Sequence, residues 1–190
     1  MTIIQTANLG FPRIGKRREL KTALESFWSG KSGQAALLET AATLRARNWQ
    51  RQKDLGIDIL PSNDFSLYDH LLDTAFMVGA ISDTYRAGSD LDTYFRMARG
   101  AGEVSACGHN HGTGVTALEM TKWFNTNYHV LLSELKPNQG FELTHNKPLA
   151  DYNEAKALGH QTRPVLVGPV TFLSLAKSAI GGFNTLSLLP

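Results

Sequence analysis

Leu9-Gly10-Phe11-Pro12-Arg13-Ile14-Gly15-Lys16-Arg17-Arg18-Glu19-Leu20-Lys21 is the stretch on which the reading of this chain turns. An apolar run, Ile3-Ile4 with Leu9, precedes it and reads as a first strand ending at Gly10. Leu20, Leu24, Phe27 and Trp28 follow at i, i+4, i+7 and i+8, one face of a helix expected from about Arg17 to Ser29. Gly15 marks the turn into that helix and Gly30 its stop. Lys16, Arg17 and Arg18 would then crowd the first turn, where the helix dipole favours acids and where backbone N–H groups are free donors. Gly15, Lys16, Arg17 and Arg18 therefore suggest an anion-binding corner. The competing reading is a solvated basic patch on a surface helix.

Working outward, a second helix is expected over about Gln34 to Leu55, with Leu37, Leu38, Ala41, Leu44 and Trp49 near one face and Gly56 just past its end. Ile57 to Leu60 reads as a short buried strand ended by Pro61. A helix from Leu67 to about Val78 and a surface excursion over 79–92 follow. Tyr94 to Met97 reads as a short strand, and the five glycines of 100–114 as a long loop. Ala117 to Leu135 is helical or mixed, and Phe141 to Thr144 a strand. Pro148 to Leu158 is a helix stopped by Gly159, Arg163 to Val167 a buried strand, and Thr171 the cap of a last helix through Ala179. Strands alternating with helices argue for a parallel α/β arrangement. The chain stops on Phe183 to Pro190, the opening of an apolar element, so it is expected to be part of a longer protein.

The 190 residues, 42% hydrophobic, suffice for a domain with its own core. A net charge of +2 implies no general affinity for nucleic acid or membranes. Cys107 is the sole cysteine, which fits a reducing, cytoplasmic setting; no apolar run approaches the roughly 20 residues of a membrane span, and no signal-type leader is seen. Cys107, His109 and His111 place soft ligands close together, but no second cluster completes a metal site, and none is expected. His70, His129, His145 and His160 read as packing or surface residues. Asp64, Asp69 and Asp73 do not read as a catalytic carboxylate pair, and Trp123 and Phe124 read as core rather than as a stacking platform for a ring.

Four blocks, in order, carry a resemblance: Gly10 to Gly15 with Arg17 to Lys21; Asp64-Phe65-Ser66-Leu67-Tyr68-Asp69-His70; Glu119-Met120-Thr121-Lys122-Trp123-Phe124-Asn125-Thr126-Asn127-Tyr128-His129; and Arg163 to Thr171. Together the chain resembles the N-terminal part of the cobalamin-independent methionine synthase family. The resemblance implies a methyltransferase moving the methyl group of 5-methyltetrahydropteroyltri-L-glutamate onto homocysteine. It implies two β/α barrels with the active site between them, and zinc on His, Cys and Glu side chains of the C-terminal barrel. Residues 1–190 would be a folate-binding domain, apparently truncated: an incomplete β/α (TIM-type) barrel, the first half of the N-terminal one. By the same resemblance Arg17, Arg18, Glu19, Leu20 (through backbone groups) and Lys122 line the site for the triglutamate tail, with Lys16 and Lys21 as a second tier. Arginine forks and lysine point charges suit a tail of several carboxylates. Asp64, Asn127 and Gly168 would lie in loops after strand ends without being ligands. Asn63 stands where the family often has Gly, which puts that turn in question. Alone, the chain is expected to bind no zinc, to be inactive, and to self-associate through exposed strand edges. Homocysteine would be met only through the C-terminal domain. The rivals are a stand-alone anion- or folate-binding module without turnover, and a different α/β-barrel enzyme with an anionic substrate.

Overall fold

The computed structural model describes residues 4–102 and 114–190. In chain order the helices are α1 (Glu19–Trp28), α2 (Gln34–Asp54), α3 (His70–Met77), α4 (Asp90–Arg99), α5 (Lys147–Ala157) and α6 (Pro169–Leu175). The strands are β1 (Leu60–Ser62), β2 (Met120–Lys122), β3 (His129–Leu131), β4 (Glu134–Leu135), β5 (Thr162–Pro164) and β6 (Lys177–Ser178). The chain divides into two compact units, one holding the segment up to Leu67 with Asn146–Leu166, the other Tyr68–His145 with Val167–Pro190.

In the first unit α1 packs against α2, burying Leu20 and Leu24 of one and Leu37, Ala41 and Leu44 of the other. Leu38, expected on the same face, is exposed. Gly30 and Gly56, at φ 72° and 81°, take the left-handed conformation that ends both helices. β1 pairs in parallel with β5, Leu60 opposite Thr162 and Ser62 opposite Pro164. Trp49, Leu60 and Ala155 form the core that joins α2, β1 and α5. The expected first strand is reduced to one parallel bridge, Ala7 with Ile59. Pro61 lies inside β1 instead of ending it: it has no N–H to donate, and its carbonyl accepts the Trp49 indole N–H at 2.9 Å.

In the second unit Leu71, Ala75, Ala80, Val130, Leu135, Phe172 and Leu173 make one core. β2 and β3 form an antiparallel hairpin, and β4 pairs in parallel with β6. Several expectations fail here. Tyr94 to Met97 is helical: Ser89 and Asp92 close a reciprocal cap on α4, and Tyr94, Phe95, Met97 and Ala98 are buried along it. Residues 79–92 are not merely a surface excursion, since Ala80 and Tyr85 are buried and α4 begins at Asp90. Ala117 to Leu135 carries strands and no helix. Phe141 to Thr144 forms no strand; instead the Glu142 and Thr144 amides donate to the Val78 and Met77 carbonyls at the end of α3. Thr171 does not cap α6, which starts on Pro169 after Gly168. That helix stops at Leu175 because Lys177 and Ala179 donate to Ser133 and Leu135.

The chain thus mixes helices with small sheets, as an α/β protein does, and the described strands pair two by two.

Candidate anion-binding site

The basic segment is a built turn. Gly15 is at φ 86° and Arg18 at φ 61°, both left-handed. The Arg18 amide donates to the Gly15 carbonyl and the Leu20 amide to the Ile14 carbonyl, each at 3.2 Å. A Cβ at Gly15 would displace the Glu19 carboxylate and sit 3.0 Å from Leu44 Cδ2, at a positive φ that side chains rarely adopt, so a larger residue is strained at that corner. The helix begins at Glu19, two residues later than the sequence suggests. Lys16, Arg17 and Arg18 therefore precede the first turn, and an acid occupies it, as the dipole favours.

Glu19 is heavily engaged. Its Oε2 accepts the Arg17 amide at 2.8 Å, and its Oε1 accepts Arg47 Nη1 of α2 at 2.9 Å. The Arg47 hydrogen bond, then backbone donors, hold the Glu19 carboxyl down at about 2. Leu44, Arg47 and Asn48 lie at i, i+3 and i+4 on α2. Leu44 packs at Gly15, Arg47 grips Glu19, and Asn48 donates to the Pro12 carbonyl at 3.4 Å.

Leu20 is 0% exposed and its amide is committed to Ile14, so it anchors the turn. Lys21 faces Glu25 at 3.6 Å. Lys16, Arg17 and Arg18 are exposed, and among the described residues no acid lies within ion-pair distance of them. Lys122 is the exposed last residue of β2, opposite His129. Arg17, Arg18, Glu19, Leu20, Lys16 and Lys21 fall together in one unit; Lys122 belongs to the other.

Within the first unit, the first two blocks interlock across more than fifty residues of sequence. Asp64 Oδ2 accepts the Phe11 amide at 2.8 Å, beside Gly10. Arg13 Nη1 donates to the Ser66 and Leu67 carbonyls at 2.9 and 3.1 Å. Burial raises the Asp64 pKa against the Phe11 and Asp64 backbone amides and the Lys147 charge. Asn63, at φ 60°, occupies the left-handed region that glycine also favours, and asparagine takes it at little cost. Its side chain bridges the Val165 carbonyl at 2.7 Å and Lys147 Nζ at 3.0 Å, and that ammonium also reaches Asp151 at 2.8 Å.

In the second unit His70 sits edge-on to Trp123 at 4.5 Å and parallel to Tyr128 at 5.9 Å. Trp123 packs against the core, but Phe124, expected there too, is 66% exposed at the hairpin tip with φ 49°. Asp69 caps α3, accepting the Leu71 and Leu72 amides at 2.7 and 2.9 Å and the Leu131 amide at 3.0 Å. Burial pushes its pKa up to about 6, and the nearby Asp73 charge adds to the rise. His160 is buried beside Trp49, and His145 Nε2 lies 2.9 Å from Asp90 at the surface. Cys107, His109 and His111 lie outside the described residues. Among the described residues no three His, Cys, Asp or Glu side chains converge as metal ligands, so the residues described do not fit a zinc ion.

Residues 5–190 match the family model described as "Cobalamin-independent synthase, N-terminal domain". The chain is 58% identical over its whole length to a protein of Rhodopseudomonas palustris, covering 26% of it. It is 59% identical over 98% of its length to one of Caulobacter vibrioides, covering 25%, and 56% identical over its whole length to one of Xylella fastidiosa, covering 24%. All three are named 5-methyltetrahydropteroyltriglutamate–homocysteine methyltransferase, so the relatives define the class as methyltransferases. The chain belongs to the cobalamin-independent methionine synthase family and corresponds to its N-terminal part. It spans about a quarter of the length of these relatives.

Sequence reasoning missed Arg47, Asn48 and Lys147. Arg47 stands among the cations of the second half of α2, which suit the helix dipole there and carry no site signal of their own; only the packing of α1 on α2 brings it to Glu19.

Proposed function

We propose that this chain is the N-terminal folate-binding part of an enzyme that transfers a methyl group from 5-methyltetrahydropteroyltri-L-glutamate to homocysteine, forming methionine. Its task is to hold the triglutamate tail with Arg17 and Arg18, helped by Lys16, while Glu19, Leu20 and Lys21 shape the segment; Lys122 is proposed as a further folate contact on the family resemblance. The observation that carries this reading is a strained turn whose three cations stand in solvent without acidic partners among the described residues. Guanidinium forks match carboxylates in geometry as well as charge.

Residues 1–190 are read as the opening part of a β/α barrel, supported by the parallel pairs β1–β5 and β4–β6. Zinc, and the homocysteine that needs it, are assigned to the remainder of the relatives' length, and the setting to the cytoplasm. No helix among the described residues is long and apolar enough to cross a membrane, and neither membrane nor nucleic acid is a partner in this reading. The chain alone binds folate without turnover. It also self-associates unless another segment or chain covers it, since Leu9, Leu143 and Leu166 are 72%, 66% and 60% exposed; a monodisperse monomer in light scattering contradicts this.

The test is a binding series with triglutamyl and monoglutamyl folate. The triglutamyl form binds more tightly and in a salt-sensitive way, and Arg17→Ala/Lys122→Ala abolishes the difference. Equal affinity of the wild type for both forms refutes the tail site. Methyl transfer by the purified chain refutes its inactivity.

A further inference from the structure

Glu19 poses a problem for any anion site at this corner. It is the one acid within the basic segment, adjacent to Arg18 and two residues from Arg17. A free carboxylate there would fold onto those guanidinium groups and compete with any incoming anion. The structure shows where it goes instead: one oxygen is fixed by the Arg17 backbone amide and the other by the Arg47 guanidinium at 2.9 Å. Arg47 is itself tied into a support, since Leu44 and Asn48 on the same face of α2 hold the Gly15 corner and the Pro12 carbonyl. The Glu19 side chain is 31% exposed and that of Arg47 47%, so the pair lies at the surface, where its own contribution to stability is small.

We propose that Arg47 is a positioning residue for the anion site: it sequesters the Glu19 carboxylate, so that Lys16, Arg17 and Arg18 remain available to an external polycarboxylate. Glu19 then acts on the ligand only indirectly. This deepens the tail-binding reading and rests on it.

An Arg47–Glu19 pair that only fastened α1 to α2 and one that sequesters the carboxylate make opposite predictions for a double variant. Arg47→Ala frees Glu19 to neutralise its neighbours and weakens triglutamyl folate binding about two- to fivefold, the scale of one exposed charge interaction. Adding Glu19→Gln removes the competing charge while keeping an oxygen for the Arg17 amide, and the Arg47→Ala/Glu19→Gln chain binds as well as the wild type or better. Arg47→Lys, which keeps the charge, retains most of the affinity. All are measured by titration calorimetry on the 190-residue chain with triglutamyl folate, and melting curves report folding.

A double variant as weak as Arg47→Ala, or an Arg47→Ala chain that binds like the wild type, overturns the proposal while leaving the tail site standing. A wild-type chain that shows no preference for the triglutamyl form overturns both.

Discussion

Glu19 in the first unit and Asp69 in the second each stand at a helix start, and these two carboxylates behave in opposite ways. Glu19, at the first residue of α1, is partly exposed and faces a guanidinium; its pKa falls to about 2. Asp69, at the cap of α3, is 1% exposed and receives amide hydrogens alone; burial raises its pKa to about 6. Both sit where a helix dipole favours an anion, so the dipole does not decide between them. A cation partner and water decide for Glu19; the loss of water outweighs three hydrogen bonds for Asp69. The first arrangement leaves charge at the surface, suited to binding. The second ties α3 to β3 in the interior, suited to holding a fold.

The largest effect is expected at Asp69. Asp69→Ala removes a helix cap, worth about 1 kcal/mol, and orphans the buried Leu131 amide, worth about 1–3 more. Chemical denaturation should lose roughly 2–4 kcal/mol; a loss below half of one would break the contrast. Next comes Gly15→Ala, which meets Glu19 and Leu44 at once and at positive φ; a cost of about 1–3 kcal/mol is expected, together with weaker anion binding.

The pH dependences should have opposite signs. Asp69, with its folded pKa above the unfolded one, binds more protons when folded between about 4 and 6, so its contribution falls as pH rises through that window. Glu19, with its folded pKa below, contributes stability that is complete above about 4.5 and lost as pH falls toward 2. Carboxyl NMR titration reads both directly, and a shared midpoint near 4 would erase the distinction. The smallest effect is Glu19→Gln, expected to leave the chemical-denaturation midpoint close to that of the wild type because an exposed pair contributes little.

Much of the helical framework was legible in advance. Apolar spacing with a terminal glycine marks α1, α2 and α5 to within about two residues. What was lost had physical causes. In α4 the aromatic pair Tyr94-Phe95 reads as strand by propensity, and the Ser89–Asp92 cap that decides for helix lies outside that window. The 117–135 segment alternates too weakly for either period to win, and pairing across the hairpin settles it. At the site, the cluster Lys16-Arg17-Arg18 was visible as charge, but its relation to the helix was misread because Glu19, not Arg17, begins it. The α2 face that supports the turn depends on contacts nearly 30 residues apart, and no local pattern encodes those.

The most direct measurement is a crystal structure of the chain with triglutamyl folate. The account predicts tail carboxylates within hydrogen-bonding distance of the Arg17 and Arg18 guanidinium groups, with Glu19 still on Arg47. A tail bound elsewhere, with those two cations free in solvent, would contradict it.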